Sequence, residues 1–489
     1  MMFTSLSFVL FAALVVVCIN MAPGRLGNQL AYGSANAAFL LLFLGRVEAI
    51  LLVGFALWGF LILRYVPSKW GALGLAVTLA LFIWLKKYQL IPAGLRLEHL
   101  PTIVGLSYVL FRVLHLIVDK LQEAREPMSL SRYLNYTLCC FTLIAGPFQD
   151  LKSHDHSIAG QAGRDLIGPL SRICDGFLKA AVFAPVLLDW QVTIRSYALA
   201  KAYTTPPVAF DRFMINLGNW LNSHLGSQSA MFVAIEVLAS ILYLVFLYLN
   251  FSGYTDIVIG WAGLCGLQLP ENFNYPILAN DVLDFWNRWH MSMTNWFKTY
   301  VFTPTLKNLT MRRPRAESAF ANTACAFFLT FLLMGLWHGP GWPFAACGML
   351  LAAAAVLNHS YKTALRLWID KQKAKELRSS WWYQVCAAGL TFTFLAVVVS
   401  PFWISEGDYF RLLTGSVGTP VVVLLALCVG VGVIVASVRR IWMLFVSAGE
   451  RFGRLSLPRV ALIGAKVNIL FLGLLVNYRS LPDFVYKGF

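Results

Sequence analysis

Predominantly apolar runs close to the roughly 20 residues needed to cross a bilayer as a helix recur from one end of this chain to the other. Examples are 5–21, 47–66, 231–250, 391–404 with its flanks, and 421–438. Backbone inside a bilayer finds no water to bond, so such spans are expected to be helical. Of the 489 residues, 58% are hydrophobic and 13% charged, against about 25% charged in soluble domains. A water-soluble core is thereby excluded. The expected fold is all-α and polytopic, with about 11 transmembrane helices in a single membrane domain, 1–489. No hydrophilic stretch is long enough for a separate soluble unit.

The first basic residue, Arg25, follows the first apolar run instead of preceding it. That order is wrong for a secretory signal peptide, so the run is expected as an uncleaved span with its N-terminus outside. The net charge of +16 is concentrated at Lys86 and Lys87, 311–315, 362–378 and 439–459. Short basic connections set topology and sit against anionic headgroups, so they imply membrane lipids as partners and no nucleic acid. The connection 405–419 lies between two basic loops and should face the exterior. The nine cysteines fall almost entirely within apolar runs and form no CxxC pair, which suits small packing residues and no metal site.

Residues 1–100 read as scaffold helices. Beyond them Arg112, His115 and Asp119 recur at spacings of three and four, along one face of a membrane helix. Each such charge costs about 2.5–3.5 kcal/mol near the bilayer centre, so the stripe must face protein or a wet cavity. It reads equally as a cavity lining and as a structural ion pair. Ile144-Ala145-Gly146-Pro147-Phe148 is expected to break a helix. The region 154–165, with His154 and His156, reads as a polar loop, and 201–229 as an interfacial segment.

The stretch 250–304 is chemically unlike the rest. Asn250-Phe251-Ser252-Gly253-Tyr254-Thr255-Asp256 reads as a polar turn after an apolar helix, and Leu269-Pro270-Glu271-Asn272-Phe273-Asn274-Tyr275-Pro276 as an extended segment. Residues 281–300 have helical spacing. On one helix Asn287, His290, Thr294 and Lys298 would share a face, with Trp286, Trp289, Met293 and Trp296 beside it at headgroup level. Asp284 and Arg288 should pair. Downstream, His338 lies among Gly335, Gly339, Pro340, Gly341 and Pro343, which must break or kink a span. A broken helix at membrane depth is tolerated where protein or a wet cavity satisfies the freed backbone, and a histidine there has access to substrate.

Asp284-Phe285-Trp286-Asn287-Arg288-Trp289-His290, followed by Gly335-Leu336-Trp337-His338-Gly339, closely resembles the signature of the membrane-bound O-acyltransferase superfamily. The Asn250–Asp256 and Pro270–Asn274 runs stand in the expected order, and the resemblance extends from about residue 105 to 358. Within the superfamily it looks like the bacterial branch of alginate or cellulose O-acetyltransferase and teichoic acid D-alanyltransferase membrane subunits. The run around Asn287 is similar to the D-alanylating members, and 251–256 to the acetylating ones.

The resemblance implies an acyltransferase core over 101–358, C-terminal helices over 359–489, and re-entrant or interfacial helices around a central funnel open at both faces. It implies His338 and His290 as the catalytic pair, with Trp286, Asn287, Arg288, Trp337, Asn250, Tyr254, Asp256 and Asn274 as substrate-binding candidates. It further implies transfer of an acyl group, acetyl before D-alanyl, from a cytoplasmic donor to hydroxyls of an exopolysaccharide or envelope polymer. The donor would be acetyl-CoA or an acyl-carrier thioester acting as substrate, with no tightly bound cofactor. The setting would be the bacterial inner membrane, beside an extracytoplasmic SGNH-like partner. Histidine suits the reaction because its ordinary pKa lies near neutrality and the acceptor hydroxyl must lose a proton. No GxSxG element supports a serine relay. A transporter or channel would also use broken helices and polar residues in the membrane, but no inverted repeat is detectable.

Overall fold

The computed structural model describes residues 3–97, 99–122, 128–144, 146–159, 166–200, 228–418, 421–452, 464, 466–470 and 473. Ala145, the segment 160–165 and nearly all of the interfacial segment 201–229 lie outside the described residues. Among the described residues the regular structure is helical, and seven helices are long and apolar enough to span a membrane. Leu6–Met21 is a shorter apolar helix.

The helices that carry the site are α1 (Gly71–Leu85), α2 (Leu106–Gln122), α3 (Gln228–Leu264), α4 (Val282–Trp286), α5 (Met291–Phe297), α6 (Ala319–His338), α7 (Trp342–Trp368) and α8 (Trp381–Val398). One buried apolar core runs through them, from Phe3 to Val435. Outward-facing positions such as Leu41 and Leu390 remain apolar and exposed, as lipid contact requires.

The central element is α3, which holds Asn250–Asp256 within its length. The expected turn there does not form. Gly253 serves helix packing: a Cβ at that position would stand 2.8 Å from the Gly176 carbonyl. Small residues of this kind let spanning helices approach backbone to backbone.

Helices α6 and α7 form a hairpin closed by Gly339–Gly341. A Cβ on Gly335 would stand 2.4 Å from the Gly348 Cα, so glycine is required on both sides of this crossing. Helix α6 begins beside the exposed basic run 311–315, and α7 returns to the basic run 362–378. The turn therefore lies at the opposite membrane face from both basic connections. Both basic connections thus mark one membrane face, and the turn lies at the other.

The structure departs from the sequence expectation in several places. Residues 281–300 are not one helix. Helix α4 stops at Trp286, the chain turns through Asn287–His290, α5 restarts at Met291, and Lys298–Phe302 widens into a π turn. The expected shared face of Asn287, His290, Thr294 and Lys298 is lost with it. Trp286 and Trp289 are buried, each 5% exposed, and pack the core instead of lying at headgroup level. Residues Leu151–Ala159 form a helix where a loop was expected, with His154 buried and His156 exposed. Arg439 lies inside the helix Val421–Phe452 and donates to the carbonyls of Ile277 and Ala279.

The α2 stripe is a bonded network. Arg112 is buried and donates to the Thr137 carbonyl at 2.7 Å, the Thr142 carbonyl at 2.8 Å and the Thr142 hydroxyl. It thereby satisfies the backbone freed where the chain between Thr137 and Phe148 leaves helical form. His115 Nδ1 lies 3.5 Å from Asp119 Oδ2, and its Nε2 lies 2.6 Å from the Tyr136 hydroxyl.

Candidate active site

His290 occupies the left-handed backbone region, φ 44° and ψ 51°. For a residue with a side chain this costs about 1–3 kcal/mol and persists where its surroundings impose it. The constraint comes from Asn272 in the extended run. Its Oδ1 accepts from the Ser292 N–H at 3.2 Å and the Ser292 hydroxyl at 2.8 Å, and lies 3.0 Å from His290 Nδ1. The Asn272 carbonyl accepts from the Met291 N–H at 2.9 Å.

A backbone N–H can only donate, so the Asn272 atom is the oxygen, and His290 Nδ1 must carry its proton toward it. The neutral ring then has its lone pair on Nε2. Phe148 stacks on the imidazole at 5.9 Å, Phe251 meets it edge-on at 4.9 Å, and the ring is fully buried. The Phe148 N–H donates to the Ser292 hydroxyl at 3.0 Å, which ties the earlier chain break to the same latch.

His338 is the last residue of α6 and 6% exposed. Pro340 has no N–H to offer the Leu336 carbonyl four residues back, so that carbonyl loses its helical partner. The Tyr88 hydroxyl replaces it at 2.7 Å. The Gln89 N–H donates to the Pro340 carbonyl at 3.1 Å, and Gln89 Oε1 accepts from the Trp342 N–H at 3.2 Å. A segment just beyond α1 thus straps the fractured turn. The His338 ring packs on Trp337 at 4.6 Å and Phe402 at 5.0 Å. Trp337 also lies 6.4 Å from the His290 ring, so one indole borders both imidazoles.

The other sequence candidates are placed unequally. Trp337 lies at the histidine pair. Asn250 is fully buried next to Phe251, and its side-chain amide makes no hydrogen bond to either histidine. Trp286 packs against Phe331, one layer away. Asn287 is exposed. The Arg288 side chain pairs with Asp284 at 2.9 Å. Asn274 is exposed, and its N–H donates to the Arg288 carbonyl at 2.9 Å. Tyr254 packs toward Phe3 at the N-terminal helix. Asp256 bridges Arg172 at 3.0 Å and Lys179 at 2.6 Å, joining neighbouring helices.

Sequence reasoning missed Asn272, Ser292, Phe148, Phe251 and the 86–89 strap. The proline-bracketed run carries a signal for Asn272, but its sequence does not distinguish Asn272 from Asn274, and it is Asn272 that reaches His290. The strap gave no such signal, because only tertiary contact brings it to His338.

Two buried imidazoles at helix interruptions, both in contact with Trp337, form the candidate site of this helical bundle. Sequence comparison makes the class specific. The profile of the MBOAT, membrane-bound O-acyltransferase family matches residues 62–391, which include both histidines. The chain belongs to that family and is an O-acyltransferase.

It is 26% identical over 311 residues to a teichoic acid D-alanyltransferase of Streptococcus thermophilus, covering 62% of this chain and 68% of that protein. It is 36% identical over 129 residues to a peptidoglycan O-acetyltransferase of Helicobacter pylori, covering 26% and 23%. It is also 26% identical over 254 residues to a probable alginate O-acetylase of Azotobacter vinelandii, covering 51% and 43%.

Proposed function

We propose that this chain moves an acyl group, acetyl in the first reading, from a cytoplasmic thioester to hydroxyls of an exopolysaccharide or envelope polymer outside the bacterial cytoplasmic membrane. The observation that carries the reading is the pairing of His290 and His338 across Trp337, at two interruptions that approach from opposite sides. The His290 segment hangs from the basic face, where Asp281 meets Lys362 at 2.8 Å. His338 closes the outward turn.

In this reading His338 takes the proton of the acceptor hydroxyl as its oxygen attacks the acyl carbonyl; the C–S bond of the thioester then breaks, and the proton passes from His338 to the departing thiolate, which leaves as the free thiol. His290 has its Nδ1 proton committed to Asn272, so its Nε2 accepts a hydrogen bond from a second, neighbouring hydroxyl of the polyhydroxylated acceptor and orients the reacting one toward His338. Trp337 walls the space between them. The donor is acetyl-CoA or an acyl-carrier thioester bound as substrate, and an SGNH-like protein on the outer face is the chain's partner.

Transfer of D-alanine is the second reading, favoured by the long alignment with the Streptococcus thermophilus enzyme. Membranes containing the chain should pass label from acetyl-CoA to polymer, and mass spectrometry of that polymer should show acetyl ester. A D-alanyl ester instead would select the second reading. Solute uptake into vesicles without any acyl transfer would overturn both.

A further inference from the structure

Lys86 stands where a lysine is unexpected. The strap 86–89 is bonded to the α6–α7 turn, so Lys86 lies at the membrane face opposite the basic runs 311–315 and 362–378. Basic residues are depleted on that face, and a topological role does not account for this one. Its neighbours in the strap have structural work: Lys87 donates to the Leu100 carbonyl, and Tyr88 holds the Leu336 carbonyl.

Lys86 is part-buried, and its ammonium donates to the Ser107 hydroxyl at 3.1 Å. Among the described residues no carboxylate lies within ion-pair reach of it. The Tyr88 and Gln89 bonds to the Leu336 and Pro340 carbonyls hold the strap that carries Lys86 against the turn that carries His338. A cation withdrawn from water beside a neutral hydroxyl is costly unless an anion joins it.

We propose that Lys86 is the anion-recognising residue of the outer half of the site, receiving a carboxylate or phosphate that the acceptor carries near the hydroxyl to be acylated. The assignment rests on the acyltransfer reading above and narrows its acceptor to an acidic polymer. Burial pushes the Lys86 ammonium down to about 8, and a bound anion would offset that desolvation. Ser107 holds the charge in place before the acceptor arrives.

The test uses the purified full chain in detergent with three oligomers of equal length: an oligouronate, an oligo(glycerol phosphate) and a neutral cello-oligosaccharide. Wild type should bind one of the two anionic oligomers in preference to the neutral one, and which of them it prefers identifies carboxylate or phosphate. Lys86→Met should weaken that binding by about tenfold or more, and Lys86→Arg should retain most of it. Raising salt should weaken wild-type binding of the anionic oligomer alone, a readout that survives if Lys86→Met fails to fold. Equal binding of all three oligomers by wild type, or unchanged anionic binding by a monodisperse Lys86→Met protein, overturns the assignment. Either result with labelled acyl transfer intact sinks Lys86 alone, whereas absence of transfer by wild-type membranes removes the reading beneath it.

Discussion

His290 is held by its own neighbourhood, since Asn272, the residue that fixes its ring, is 18 positions away. His338 is held from a distance: Tyr88, which replaces the lost helical partner at Leu336, is 248 positions away. The first site is a side-chain latch that selects a tautomer in a strained backbone. The second is a backbone repair that lets a helix end in mid-structure. The contrast suggests a division of labour. Disturbing the latch should alter chemistry more than stability, and disturbing the repair should do the reverse.

The largest effect is expected for His338→Ala, with acyl transfer by membranes falling at least 100-fold, within the range of about 10²–10⁴ typical of general-base catalysis. Detergent stability should persist. A variant keeping a tenth of wild-type transfer would remove the base role and, with it, half of the comparison.

Asn272→Leu removes the acceptor shared by His290 and Ser292. About 2–3 kcal/mol of unsatisfied polar groups should appear chiefly as lost transfer, roughly 30–150-fold by the equivalence of about 1.36 kcal/mol with a factor of ten. Ser292→Ala keeps the imidazole bond and should lose less. An Asn272→Leu protein with normal transfer and a collapsed melting midpoint would erase the distinction between the two sites.

On the repair side, Gly335→Ala forces a methyl against Gly348, and overpacking of this kind costs about 1–3 kcal/mol. The midpoint of thermal unfolding in detergent should drop, and transfer per folded molecule should change little. Tyr88→Phe leaves the Leu336 carbonyl without its donor, for about 1 kcal/mol. That is the smallest expected shift, and it should again be read in the midpoint.

Much of this division was visible before any fold was known. The proline-bracketed run at 270–276 and the glycine and proline cluster around His338 both marked interrupted backbone, because those residues act through local sterics and a missing donor. The pairing of Asp284 with Arg288 followed from helical spacing and formed at 2.9 Å. Continuing the same periodicity through 281–300 failed. Asn272 draws His290 into a left-handed conformation, and a bond from 18 residues away outweighed local helix propensity. For Asn250–Asp256 the error ran the other way. Polar residues were read as a turn, but α3 keeps its helix by burying them against other helices and by pairing Asp256 with Arg172 and Lys179.

The sequence by itself determined that this chain is a helical membrane protein and that His290 and His338 occupy interrupted backbone. Apolar length, charge asymmetry, and the sterics of glycine and proline act over a few residues and leave their mark in the order of amino acids. Only the tertiary structure decided which polar groups meet. Asn272 instead of Asn274 reaches the imidazole, Arg112 bonds carbonyls instead of lining a cavity, and the strap that carries Lys86 is bonded to the turn that carries His338. Such pairings join segments distant along the chain, and inside a bilayer the demand that each buried polar group find a partner selects them.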